Sequence, residues 1–194
     1  MLKNLIEMLL GPIVEYLYSF LSTKNKEKTL GALKDDIKIY KELDSLIDED
    51  DIDRVIFAFI HNGNNIFLPG KPKYISIIEE AKNSKVRTCL KKHQRRMIDV
   101  NFLEKLISTV FSESGLLKIR TEDMNSSIVK DLFVEEGIKE FIMIYISHSE
   151  EYVWYMFINS HHAINENNSL LSKIHSSRDV ISNILQKYYK IERK

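Results

Sequence analysis

Apolar positions recur with different periods along this chain and divide it into a helical front, a mixed middle and a regular end. From Met1 to Leu21, the residues Leu2, Leu5, Ile6, Leu9, Ile13, Leu17 and Phe20 or Leu21 recur at helical spacing. That is the pattern of an amphipathic helix, and Gly11-Pro12 kinks or splits it. A polar link, Ser22 to Lys28, leads to a second expected helix from about Thr29 to Ile47. Its 3-4 stripe is Leu30, Leu33, Ile37, Tyr40, Leu43 and Ile47. A stripe of that kind packs a helix on its own domain or pairs it with another helix, and so short a seam leaves both readings open. Asp48 to Asp51 is an acidic stop.

The pattern then changes. In Arg54 to His61, Val55, Phe57 and Phe59 fall on one face and Ile56, Ala58 and Ile60 on the other. A strand apolar on both faces belongs in the middle of a sheet. Asn62 to Asn65 reads as a turn, and a short strand is expected over Lys73 to Ile78. Glu79 to Lys92 carries little signal. A helix is expected over Asn101 to Ser112, with Phe102, Leu103, Leu106, Ile107, Val110 and Phe111 as its buried face. Leu116 to Arg120 reads as a strand. Ser126 or Ser127 caps a short helix over Ile128 to Glu136, and Gly137 ends it. Ile138 to Ser147 and Tyr152 to Ile158 form a hairpin rich in aromatic residues. Tyr152, Trp154 and Met156 share one face of it; Val153, Tyr155 and Phe157 share the other. One set is expected in the core and the other at a pocket or partner. Leu170, Leu171, Ile174, Ile181, Ile184, Leu185 and Tyr188 stripe a terminal helix.

Two of these stretches resemble the GAF family. Asp53-Arg-Val-Ile-Phe-Ala-Phe-Ile-His-Asn-Gly63 is similar to the first strand of a GAF subgroup that carries Arg-Val and ends in His-Asn-Gly. Leu132-Phe-Val-Glu-Glu-Gly-Ile-Lys-Glu-Phe-Ile-Met-Ile-Tyr-Ile146 sets a short helix ahead of a central strand, as GAF domains do. Pro69-Gly-Lys-Pro-Lys-Tyr74 also resembles small GAF-like proteins of tailed phages. The likeness spans about Lys34 to Tyr189. It implies a five- or six-stranded antiparallel sheet with helices on one face and a pocket on the other, and frequent dimerisation through flanking helices. The expected class is therefore α/β (α+β): a GAF-like antiparallel sheet with flanking helices over 29–194, leading helix 29–47 included. An amphipathic helical arm over 1–28 precedes it.

The ligand chemistries of that family leave no mark here. Bilin-binding members use a cysteine, and Cys89 sits in no matching motif. The Asn-Lys-X-Asp-Glu pattern of cyclic-nucleotide binders is missing, and no histidine is marked as a haem ligand. No cofactor is expected. With 28 basic and 28 acidic residues the net charge is zero, which speaks against nucleic acid as a partner. A neutral chain is also less protected against self-association. A single cysteine points to a reducing compartment, and the expected location is cytoplasmic or virion-associated.

Candidate chemistry is sparse. His61 and Asn62 end the first strand, and with Tyr74, Tyr145 and Trp154 they are the candidate ligand residues. Leu5, Leu9, Ile13, Leu17, Leu33, Ile37 and Tyr40 are the candidate partner residues, in a homo-oligomer or with other proteins of an assembly. Membrane-surface contact through 1–21 stands as a further reading. His161-His162 reads as a solvated loop pair, because neighbouring residues on a strand face opposite ways and do not share one ion. Lys91-Lys-His-Gln-Arg-Arg96 is a solvated or partner-facing basic run, and Glu79-Glu80 and Glu135-Glu136 read as helix surface. There is no phosphate-cradling glycine loop and no Gly-X-Ser-X-Gly elbow. The sequence thus predicts a non-catalytic interaction module acting in a larger assembly, with a phage structural or accessory role. The alternative is a small-molecule sensor with its pocket over the sheet.

Overall fold

A computed structural model of the chain describes residues 28–47, 51–62, 72–84, 86, 95–97 and 100–189. The expectations for Leu5, Leu9, Ile13, Leu17, Cys89 and 91–94 lie outside the described residues, as does the first half of the Pro69–Tyr74 motif. The chain divides into two compact units, Met1–Lys38 and Ile39–Lys194. Their boundary falls inside helix α1, which spans 28–47. In the first unit the described residues are helical turns, on which Leu30, Leu33 and Ile37 are each more than half exposed.

The second unit is built on a six-stranded antiparallel sheet of order β3-β2-β1-β6-β5-β4. The strands are β1 Arg54–His61, β2 Tyr74–Lys82, β3 Arg95–Met97, β4 Leu116–Arg120, β5 Glu140–His148 and β6 Val153–Ser160. The helices that follow α1 are α2 Val100–Phe111, α3 Ile128–Glu135 and α4 Asn168–Leu185. A short 3-10 turn, Thr121–Asp123, follows β4.

β1 is apolar on both sides and lies between β2 and β6. Val55 and Phe57 join a core with Ile39, Leu43 and Leu46 of α1 and Leu170, Ile174 and Ile181 of α4. Ile56, Ala58 and Ile60 join a second core with Phe102 and Leu106 of α2 and Phe133 of α3. The hairpin β5–β6 feeds both cores. Trp154 and Met156 enter the first, and Tyr155 and Phe157 the second. Neither face of the hairpin is therefore left over for a pocket or partner, which corrects the expectation of one core face. Helices also lie on both faces of the sheet rather than one, because β1, β5 and β6 each present apolar side chains both ways.

Three further readings change. β2 continues past Ile78 to Lys82, through a register shift opposite Phe57 and Ala58 that leaves Ile78 as the extra, partly exposed residue. Glu79-Glu80 therefore lies on a strand, not on a helix surface. On α2 only Phe102 and Leu106 are deeply buried among the residues expected inside, while Phe111 is 75% exposed. On α1 the expected single stripe is two. Ile39, Leu43 and Leu46 face the core, whereas Leu30, Leu33, Ile37 and Tyr40 are exposed.

The helix starts follow their capping residues. Ser127 accepts a hydrogen bond from the Lys130 N–H at 3.0 Å, and Asn167 accepts one from the Leu170 N–H at 2.8 Å. α3 ends at Gly137, whose φ of +72° is open to glycine at little cost.

Candidate functional site

The densest polar constellation sits where β1 begins and β6 ends. Arg54 pairs with Asn159 across these strands, which brings Asp53 beside His161. Asp53 Oδ2 accepts from the His161 backbone N–H at 2.8 Å and lies 2.9 Å from His161 Nδ1. Asp53 Oδ1 accepts from Asn83 Nδ2 at 2.6 Å. The opposite ring nitrogen, His161 Nε2, is 3.0 Å from the carbonyl of Glu136. A carbonyl and a carboxylate can only accept, so both ring nitrogens donate when the imidazole is doubly protonated. Burial alone would raise the Asp53 carboxyl. The bonds from His161 and Asn83, with the charge of His161, outweigh that and hold it below its ordinary value.

Arg54, almost fully buried, lies next to this group. Its Nη1 donates to Glu136 Oε2 at 2.6 Å. Its Nε lies 3.0 Å from Glu80 Oε1, an ion pair by distance rather than a directed hydrogen bond. An aspartate–histidine pair is the usual means of activating a nucleophile. Here the histidine's second nitrogen is engaged by a backbone carbonyl, so the pair works as a clamp. It joins β1, the residue after β2, the residue after β6 and the end of α3. The expectation that His161-His162 is a solvated pair is corrected for His161, and the expectation of idle carboxylates is corrected for Glu80 and Glu136. No cluster of three or more potential metal ligands occurs among the described residues.

The candidate ligand residues do not converge. His61 is buried, its Nε2 lies 2.9 Å from Ser76 Oγ, and its ring stands 5.8 Å from that of Tyr74 and 5.0 Å from that of Phe59. Phe59 in turn meets Tyr152, and Tyr152 meets Trp154. This aromatic chain lies on the α1/α4 side of the sheet, where Trp154 is core. Tyr145 belongs to the opposite core, with its hydroxyl 2.6 Å from His148 Nδ1. Asn62 is buried at the end of β1. On the α2/α3 side, side chains take up the space over the sheet. Phe102 stacks on Phe157, and the Tyr155 hydroxyl donates to the Leu106 carbonyl at 3.0 Å. A cleft beside Phe102 and Met124 holds about 10 Å³, at the lower limit for one water.

The candidate partner residues Leu33, Ile37 and Tyr40 are exposed on α1, and Leu30 precedes them in the same rhythm. Written as a heptad seam, Leu30 and Ile37 are a positions and Leu33 and Tyr40 are d positions. Lys34 and Lys41 then take e and Asp36 takes g. In a parallel pair of such helices Asp36 faces Lys41 of the other, whereas an antiparallel pair sets lysine against lysine. In the sequence this exposed stripe and the core-facing one run together as a single apolar series.

No family model matches the sequence, and no curated protein matches it. Solved structures do. The chain is similar to a GAF domain region from Geobacter sulfurreducens PCA, at 16% identity and a TM-score of 0.56 over 83% of this chain and 99% of that one. It is similar to the phycocyanobilin-bound GAF domain of a cyanobacterial phytochrome, at 11% identity and a TM-score of 0.55 over 79% and 84% of the two chains. It is also similar to the GAF domain of a two-component sensor histidine kinase from Bacillus halodurans, at 12% identity and a TM-score of 0.53 over 79% and 92%. The fold is GAF-like.

Proposed function

We propose that this protein is a non-catalytic GAF-like interaction module whose partner is a second copy of itself, joined through the outer face of α1. One observation carries the reading. α1 has a second apolar stripe, Leu30, Leu33, Ile37 and Tyr40, that stays exposed while Ile39, Leu43 and Leu46 are buried. Exposed apolar side chains scattered singly need no explanation, but four at heptad spacing on one helix form a seam. The charges flanking the seam favour a parallel pair, and the zero net charge offers no general repulsion. A phage structural or accessory assembly is the finer setting, supported by the resemblance of Pro69 to Tyr74.

Mild oxidation of an Ile37→Cys variant in a Cys89→Ser background tests it. Parallel pairing places the two a-position cysteines side by side, so a covalent dimer should form readily and a Lys38→Cys control should form little. Equal, slow cross-linking of both would overturn the reading.

Sensing over the sheet is the weaker alternative. The bilin-bound neighbours favour it, but Phe102, Leu106, Tyr155 and Phe157 occupy that face with protein side chains.

A further inference from the structure

A cleft of about 730 Å³ opens at the free edge of the sheet, lined by none of the clamp residues. β4 begins opposite Ile144, so β5 runs on past it, and only the bond from the Tyr145 N–H to the Gly115 carbonyl continues that pairing. The cleft lies between the α2–β4 connection and one side of α4, with Tyr145 in its lining.

Its chemistry is mixed in sign. His175 and Arg178, one turn apart on α4, both line it. Arg178 is held in place, with Nη1 donating to the Ser114 carbonyl at 2.9 Å. The chain makes room for this contact. Gly115 has a φ of +67°, and a Cβ there would stand 3.2 Å from Nη1. The guanidinium has five donors in a fixed fork, and apart from that bond its other near partner is Asp179, 3.8 Å from Nε. Among the described residues its Nη2 and the His175 ring have no hydrogen-bond partner. Glu113 and Asp179 also line the cleft and supply carboxylates, both exposed. Phe111, at its edge, leaves three quarters of its surface in solvent.

A simple anion would meet two carboxylates here, and a simple cation would meet the arginine. A ligand carrying both charges satisfies both sets at once, and the exposed Phe111 ring suits an apolar or aromatic body. We propose that the cleft between the α2–β4 connection and α4 binds a small zwitterion with an aromatic or apolar group, of which an aromatic α-amino acid is the simplest form. Its carboxylate lies against Arg178 and His175, its ammonium against Asp179 and Glu113, and its side chain against Phe111.

The test is a titration of the full-length ¹⁵N-labelled chain with L-phenylalanine, 3-phenylpropionate and phenethylamine. The expected result is saturable binding of phenylalanine at least about tenfold tighter than of either singly charged analogue. The shifted amides should include Gly115, Tyr145 and His175. Arg178→Gln should weaken phenylalanine binding by about tenfold or more. Because Arg178 also ties α4 to the α2–β4 connection, Asp179→Asn is the second variant. Its side chain is 73% exposed, and the change should weaken phenylalanine while sparing 3-phenylpropionate. No saturation by about 10 mM, equal binding of the three compounds, or shifts confined to another surface would overturn the proposal.

Discussion

At the scale of single residues, the clamp formed by Asp53, Asn83, His161 and Glu136 makes the sharpest predictions. Asp53 is largely buried and accepts three hydrogen bonds. Replacing it with alanine leaves three part-buried donors without their partner, which costs about 1 kcal/mol or more. The folded carboxyl titrates below its unfolded value. Its contribution is therefore complete above the unfolded pKa of about 3.9 and is lost as pH falls through the folded one. Urea unfolding of the wild type and Asp53→Ala should differ by a constant amount near neutrality, and the gap should close below about pH 4. Gly137→Ala should destabilise by about 1–2 kcal/mol, since φ is +72° and the new Cβ would crowd His161 Cδ2 at 3.3 Å. This clamp was hidden in the sequence because Asp53 and His161 are 108 positions apart. Only the pairing of β1 with β6 brings them together. The aspartate before the first strand and the histidine after the last were the available trace.

At the scale of elements, strong periodicity was legible and charge-rich segments were not. β1, β4, the β5–β6 hairpin, α3 with its Ser127 cap and α4 follow directly from apolar spacing and capping chemistry. β2 was cut short because Glu79 to Lys82 lacks apolar alternation; Arg54 and the core position of Ala81 hold it in the sheet instead. On α2 and α1 the sequence showed too many apolar residues for one face. Burial then separates them, with Leu43 fully covered and Ile37 more than half exposed. Leu43→Ala should therefore cost about 2–5 kcal/mol, and Ile37→Ala should stay within about 0.5 kcal/mol, both read from denaturant midpoints at concentrations low enough that wild type and variant are monomeric. Tyr155 ties α2 to the sheet. Burial, and to a lesser degree Tyr145, pushes its hydroxyl well above the usual tyrosine range. Tyr155→Phe removes its bond to the Leu106 carbonyl and should cost about 0.5–1.5 kcal/mol, with no new phenol titration appearing in its place.

At the scale of the molecule, a GAF-like sheet carries cores on both faces, and its candidate ligand residues are divided between them. His61 and Tyr74 do meet, but Trp154 and Tyr145 serve opposite cores, because residues that look alike in a hairpin alternate sides. Leu30, Leu33, Ile37 and Tyr40 of α1 are among the large apolar side chains left exposed, and self-association through them is the central claim. Sedimentation velocity of the full chain and of a Leu33→Glu/Ile37→Glu variant, across about 1–100 µM, tests it most directly. The wild type should move toward twice the monomer mass as concentration rises, while the double variant keeps its fold and stays monomeric. A wild type that sediments as a monomer throughout, or two proteins that sediment alike, would contradict it.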